Sequence, residues 1–356
     1  MASILDLRRR IRSVRNTRQI TKAMKMVSAA KLRRAQEHAM NARPYAALLA
    51  SVLNSLRRRL ETYDAASAYR QHPLLVTRPE KRVLLIVVAG DKGFAGAFNS
   101  NIVRAASNFI HDNDHHQIDI EPIGRKARDH FRRTYGVADY VEQHDEVTGT
   151  TRRVRRYRGG NIEVTGDHPG VLQSLSFDEA HKLSEEVVAR YADAEIDAVY
   201  LVYNEFKSVI QQRVVVEKLL PLLEFGQRQL AAVEEMSREE RERAAVAGAS
   251  AGISPYAEED EGSGEKFGTE DVDYTYEEDP MEIFSGLLPQ YVASQIYHAM
   301  LESVAAEHAA RMTAMDAATS NASDMIDDLT LTMNRVRQAA ITKEIIEIVS
   351  GASAIG

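Results

Sequence analysis

The stretch with the most obvious chemical suggestion is Val83 to Asn101, VLLIVVAGDKGFAGAFNSN: an apolar run, glycines at 90, 93 and 96, then a helix-like segment. Strand, glycine loop and helix is a common way to present backbone N–H groups to a phosphate. The residues here do not complete such a site. A P-loop places four residues between its first glycine and a Gly-Lys-Ser/Thr. Counted from Gly90 that position is Ala95, and neither Lys nor Ser/Thr directly follows Gly96. No lysine then reaches the phosphates and no hydroxyl reaches a magnesium ion. The dinucleotide fingerprint needs G-x-G-x-x-G, whereas these glycines are spaced three and three. Asp91 would also meet a phosphate with like charge. The expected role of Gly90, Gly93 and Gly96 is a tight strand-to-helix turn that needs small residues and positive φ.

Other candidate chemistry is weaker. His111, Asp112, Asp114, His115 and His116 (HDNDHH) are metal-ligand types, but they lie between a helix and a strand without the i,i+4 spacing of a helical site. A solvated loop is the expectation. No Ser/His/Asp order or paired-carboxylate setting stands out. With no cysteine in the chain, thiolate metal sites, cysteine nucleophiles and disulfides are excluded. The N-terminal segment is strongly basic: Arg8, Arg9, Arg10, Arg12, Arg15, Arg18, Lys22, Lys25, Lys31, Arg33 and Arg34 face only Asp6. Such a run suggests nucleic acid, an acidic protein sleeve, or a solvated helix face. Aromatic stacking residues are missing from it and the whole chain carries a net charge of −7, which speaks against nucleic acid. TRRVRRYRGG at 151–160 reads as a second basic patch on a loop.

The elements that must position these residues are marked out by glycine and proline, the strongest breakers of regular structure. No glycine occurs before Gly90, and between Phe284 and Ser350 there is only Gly286. Both ends therefore read as long helices. At the start, Ile4, Leu7, Ile11 and Val14 form an apolar stripe, which resumes after a slip as Ile20, Met24, Val27 and Ala30. Pro44 is a candidate kink in a helix that runs to about Arg59. At the end, the stripe is Leu288, Tyr291, Val292, Ile296, Leu301, Val304, His308, Met312 and Met315, then Met325, Leu329, Met333, Val336, Ala340, Ile345 and Ile348. Roughly sixty helical residues make a rod of about 90 Å, longer than a compact domain of this size. An antiparallel coiled coil of the two ends is the economical arrangement; a folded-back bundle is the alternative.

The middle alternates strand and helix: strands at 83–89, 117–123, 196–203 and 209–219, and helices at 101–111, 125–135 and 177–193. This is an α/β unit of Rossmann-like character. The expected divisions are an N-terminal coiled-coil helix at 1–60, the α/β domain at 81–225, an acidic mobile insertion at 226–282 and a C-terminal coiled-coil helix at 283–356. From Glu258 to Glu282 there are twelve acidic residues against Lys266 alone. No stretch approaches a membrane span, and the N-terminus lacks the apolar core of a secretory signal, so it reads as part of the mature fold.

Three segments carry a family resemblance. ILDLRRRIRSVRNTRQITKAMKMVSAAKLRRAQ near the start and LLPQYVASQIYHAMLESVAAEHAARM with the following MTAMDAATSNASDMIDDLTLTMNRVRQAAITKEIIEIVSGA resemble the terminal signatures of the gamma subunit of F-type ATP synthases. DKGFAGAFNSN is similar to that family's glycine turn. The basic stretch 147–160 and the acidic stretch 226–270 depart from the family pattern. The resemblance implies a non-catalytic subunit without a cofactor or metal. It would be the central rotor shaft that couples proton flow through the membrane sector to ATP synthesis. It implies one copy per complex, standing inside the alpha and beta head and contacting the epsilon subunit and the c-ring. It places the chain peripherally on the cytoplasmic side of a bacterial cell membrane, with no nucleic-acid partner. By matching motifs, Met24 and Lys25 would lie near the beta lever region, and Arg311, Arg337, Gln338, Thr342, Glu344 and Glu347 would be coupling positions. Two other readings stay open from the residues alone: a coiled-coil adaptor that binds nucleic acid, and a nucleotide-binding α/β enzyme using the glycine loop.

Overall fold

The computed structural model describes residues 4–62, 71–144, 151–254 and 277–355. Its first helix, α1 (Ile4–Thr62), contains Pro44 within an unbroken helical span. Then follow β1 (Arg82–Val88), α2 (Phe98–Asp112), β2 (Gln117–Ile123), α3 (Arg125–Thr134), β3 (Gly136–Val137), β4 (Asp139–His144), β5 (Thr151–Tyr157) and β6 (Ile162–Val164). After a short 3-10 turn come α4 (Phe177–Ala192), β7 (Ala198–Phe206), β8 (Gln212–Leu220), β9 (Gln229–Glu235), α5 (Arg238–Ser250) and α6 (Pro280–Ile355).

Seven strands form one sheet in the order β3-β6-β2-β1-β7-β8-β9. β3, β6, β2, β1 and β7 are mutually parallel; β8 and β9 run antiparallel. β1 is central, and from Val83 onward it is apolar because it is covered on both faces. Val83, Leu85 and Val87 enter one core, with α2, α3 and the stretch Ala305–Met312 of α6. Leu84, Ile86 and Val88 enter the other, with α4 and the stretch Phe284–Met300 of α6. The α/β class read from the sequence is the observed one.

The terminal helices share these cores. Ala29, Leu32 and Ala35 of α1 lie in the first and Leu49, Leu53, Leu56 and Leu60 in the second. The rod is therefore rooted deep in the domain, and only its upper part stands free. From Asp316 to Ile355 the free part of α6 measures about 60 Å at 1.5 Å per residue. That is shorter than the whole-helix length suggested.

The seam between α1 and α6 corrects the apolar stripe. It has no slip: Ile4, Leu7, Ile11, Val14, Arg18, Thr21, Lys25, Ser28, Leu32 and Ala35 are all buried or half-buried, at spacings alternating three and four. Ile20 and Val27, expected inside, are 60% and 57% exposed. Ala30 is exposed as well, while Met24 is half-buried at the margin. On α6 the matching row is Met312, Met315, Thr319, Ala322, Ile326, Leu329, Met333, Val336 and Ala340, with Met325, Ile345 and Ile348 outside it. Both rows follow the heptad rule of a coiled coil. The apolar reading failed where polar residues face polar residues. Arg18 Nη1 donates to Ser323 Oγ at 3.5 Å, Thr319 Oγ1 to Thr21 Oγ1 at 2.8 Å, and Lys25 Nζ to Asp316 Oδ1 at 2.5 Å.

Two further expectations change. The basic patch at 151–160 is not a loop: Thr151–Tyr157 pairs antiparallel with β4, Val154 opposite Val141. Arg155 and Arg158 approach the buried Asp119 at 2.9 and 2.7 Å, and Arg190 of α4 approaches it at 2.5 Å. A buried carboxylate needs such pairing. The insertion is ordered in its first half. β9 extends the sheet, and α5 begins with a capping box in which Ser237 Oγ accepts from Glu240 N while the Glu240 carboxylate accepts from Ser237 N. Acidity alone predicted disorder there, but Ala244, Ala247 and Gly248 give α5 a small-residue face that packs into the first core. The most acidic part, 255–276, lies outside the described residues, as does 145–150.

Candidate functional site

The glycine loop sits where β1 ends, between neighbours β2 and β7. In doubly wound sheets this switch point is the usual ligand crevice. Here a side chain of the protein fills it. Asp91 is 7% exposed, and its Oδ1 accepts from Arg125 N at 3.0 Å and Gly170 N at 2.9 Å. Gln173 Nε2 donates to its Oδ2 at 3.3 Å. Arg125 N belongs to the first turn of α3, so the carboxylate already occupies the anion position at that helix start. A phosphate entering this crevice would meet that carboxylate with like charge. The turn expectation holds in part. Gly96 has φ +55°, but the other residue of the loop at positive φ is Phe94, not Gly90 or Gly93.

Gly90 is small for a different reason. Asn99 Oδ1 accepts from its N–H at 2.9 Å, and a Cβ placed there would lie 2.7 Å from Glu307 Oε1 of α6. Arg311, one turn further on, donates from Nε and Nη2 to Gly93 O, each at 3.4 Å, and pairs with Glu307. Its Nη1 meets His308 Nδ1 at 3.2 Å. Burial, with Arg311 and Lys31 nearby, pushes the His308 ring down to about 4, so it is neutral and able to accept from Arg311. The loop is thus clasped by the rod at the level where the rod leaves the domain.

Lys25 reaches both Asp316 Oδ1 and Ser250 Oγ, each at 2.5 Å. Arg33 Nη2 donates to Ala251 O at 3.2 Å and Gly252 O at 2.9 Å, capping the carbonyl end of α5. The insertion helix is therefore tied to the shaft. Sequence reasoning missed Asp316 and Glu307, because neither forms a local motif, and saw Arg33 only as one of the basic run.

The remaining candidates lie apart. Arg337 is about 39 Å along the helix from Arg311 at 1.5 Å per residue. Arg337, Gln338, Thr342, Glu344 and Glu347 are all exposed. Thr342 Oγ1 bonds back to Gln338 O at 3.0 Å, and Glu347 meets Lys343 at 3.5 Å. The cross-helix pairs Arg18–Ser323, Thr21–Thr319 and Lys25–Asp316 each add to 340 or 341, so Ile4 falls opposite residue 337 or so. Beyond that level α6 has no described α1 residue beside it. Ile341, Ile345, Ile346, Ile348 and Val349 of this overhang are all 49% exposed or more.

Among the described residues, no group of three or more His, Asp or Glu could hold a metal ion, and no helix is long and apolar enough to cross a membrane. A helical hairpin rooted in a Rossmann-like domain whose crevice is self-filled, with a polar seam and an overhanging apolar tip, defines a shaft-type protein. The ATP synthase family pattern matches residues 3–355. The ATP synthase gamma chain of Solibacter usitatus (strain Ellin6076) is 44% identical over 354 residues, 99% of each chain. That of Anaeromyxobacter sp. (strain Fw109-5) is 40% identical over 100% of each. A chain in the Euglena gracilis mitochondrial ATP synthase structure (OSCP/F1/c-ring, rotational state 3) superposes with a TM-score of 0.53 at 17% identity, covering 99% of this chain and 94% of that one, and so shares the fold. The chain belongs to the ATP synthase gamma-chain family.

Proposed function

We propose that this chain is the central rotor shaft of a rotary ATP synthase, linking proton flow in a membrane c-ring to nucleotide chemistry on alpha and beta subunits. The observation that carries this is the overhang of α6. An isolated helix with five exposed isoleucine and valine side chains in nine residues is unstable in water and demands a protein sleeve. The sleeve is the alpha–beta head, and the Rossmann-like foot faces epsilon and the ring, peripheral to the cytoplasmic side of the membrane.

A shaft works only if its surface differs around its axis, since a ligand shifts a conformational equilibrium only through differential contacts. The free rod has this property. Its α1 side presents exposed Arg8, Arg9, Arg10, Arg12 and Arg15, while α6 presents exposed Asp324, Asp327 and Asp328. Turning exchanges a basic face for an acidic one against a fixed head. One proton crossing 100 mV releases about 2.3 kcal/mol, so several steps must be accumulated per ATP, and the linking element must carry torsion without chemistry of its own. In this reading Arg337, Gln338, Thr342, Glu344 and Glu347 contact the head near the tip, and Met24 and Lys25 lie near the beta lever region. Arg337→Ala in the reassembled complex should lower ATP-driven proton pumping relative to hydrolysis. An unchanged pumping-to-hydrolysis ratio would remove Arg337 from the coupling set.

A further inference from the structure

The position of Arg311 separates it from the other coupling candidates. It is 9% exposed, and Glu307 beside it is 7% exposed. Its guanidinium is engaged by Gly93 O, Glu307 and His308. The loop it grips is itself immobilised on the foot. Asn99 holds Gly90 N and, through Nδ2, Lys92 O at 3.3 Å; Asp91 is held by Arg125, Gly170 and Gln173; and Lys126 N donates to Gly90 O at 3.1 Å. Gly90 carries no Cβ because the Glu307 carboxylate occupies that space. Above Arg311 the seam runs through Met312, which still lies in the domain core, to Met315 and Thr319, which lie outside that core. The clasp is thus a collar near the exit of the rod, one turn below the tie that Lys25 makes between Asp316 and Ser250.

The geometry points to Arg311 as a positioning residue that locks the foot's glycine loop to the shaft at the rod's exit and acts inside the chain, not as a contact with the head. This rests on the shaft reading above. It makes a demand that a head contact does not: any other bond between loop and rod at the same level should replace Arg311. The structure supplies such a bond. A Cβ built on Gly96 lies 3.9 Å from the Ala314 Cβ, within the Cβ–Cβ range of a disulfide, whose mean is about 3.8 Å. The chain has no cysteine of its own, so the pair would be unique.

The experiment uses the complex reassembled with alpha, beta, epsilon and the membrane sector in vesicles. ATP-driven proton pumping per ATP hydrolysed is measured for Gly96→Cys/Ala314→Cys, with and without Arg311→Ala, each reduced and oxidised. The reduced triple variant should show a severalfold lower ratio than the reduced pair. On oxidation it should return to the ratio of the oxidised pair, and reduction with dithiothreitol should reverse the change. An unaltered ratio after Arg311→Ala, or a loss that oxidation does not repair despite a formed disulfide, overturns the collar while leaving the shaft reading intact. A complex with Arg311 present that neither retains this chain nor pumps on ATP sinks the shaft reading, and the collar with it.

Discussion

The glycine with the strictest backbone requirement is Gly124, directly after β2, and its replacement by alanine has a magnitude that follows from the structure. Gly124 has φ +89° and ψ 148°, a region essentially confined to glycine that costs an L-residue about 1–3 kcal/mol. Its Cβ would fall inside the contact radius of the Ala89 carbonyl oxygen and 3.0 Å from the Ala89 carbonyl carbon. The obstacle is backbone, and it is pinned. Ala89 N donates to Ile123 O at 3.0 Å, Gly124 N to His168 O at 2.9 Å, and Lys126 N to Gly90 O at 3.1 Å. Overpacking against a fixed neighbour adds about 1–3 kcal/mol. Gly124→Ala should therefore destabilise the foot domain by about 2–6 kcal/mol, a large part of the roughly 5–15 kcal/mol typical of a whole domain. Gly93 is the control: nothing lies within 4 Å of its built Cβ and its φ is not positive. Gly93→Ala should stay within about 0.5 kcal/mol of the parent. Urea unfolding followed by tyrosine fluorescence, which reports on Tyr200 and Tyr203 of β7, measures both. Equal midpoints for Gly124→Ala and the parent, or an equally large loss for Gly93→Ala, would refute the steric reasoning.

Two other predictions concern the seam and the buried charges. Lys25 and Asp316, with side chains 13% and 26% exposed, should show a coupling of about 1 kcal/mol in a double-mutant cycle of unfolding free energies; additive single substitutions would mean that the pair does not hold the seam. Between the sheet and α6, burial raises Glu302 to about 7 although Arg228 opposes it, and burial together with Arg228 and Arg43 lowers His298 to about 4. With its folded pKa raised, Glu302 contributes stability below its ordinary 4.5 that is lost as pH climbs to 7. With its folded pKa lowered, His298 adds stability as pH climbs from 4 to 6.5. The two slopes oppose each other between 4.5 and 6.5, so Glu302→Gln should leave the histidine uncompensated. Stability of that variant should then rise more steeply than the parent's by about 1.4 kcal/mol per pH unit across this window; parallel profiles would contradict the assignment.

What could be read from the sequence followed from local pattern. The strand at 117–123 and the helices near 101–111, 125–135 and 177–193 were marked by period and breakers, and the structure places elements within a few residues of each. Long glycine-free ends predicted long helices. The seam was legible only at its apolar ends. Arg18, Thr21 and Lys25 are inside it because Ser323, Thr319 and Asp316 face them, and that complementarity spans about three hundred residues of chain. Hydrophobicity chose Ile20 and Val27 instead, which lie on the outer face. The glycine spacing did not show why Gly90 is small, since the reason is a carboxylate from α6, and the more demanding Gly124 carries no motif. The insertion helix α5 was hidden by its charge, since REERER at 238–243 precedes the small-residue face that docks it.

The central claim is that this chain turns as one body inside a stationary head. A single cysteine in place of Phe94, 72% exposed at the tip of the glycine loop, carries a visible probe on the foot while alpha and beta subunits are fixed to a surface. On adding ATP the account predicts stepwise rotation of the probe in one direction, stopping when ATP is removed. ATP hydrolysis by the same complexes with the probe held at a constant angle would contradict it.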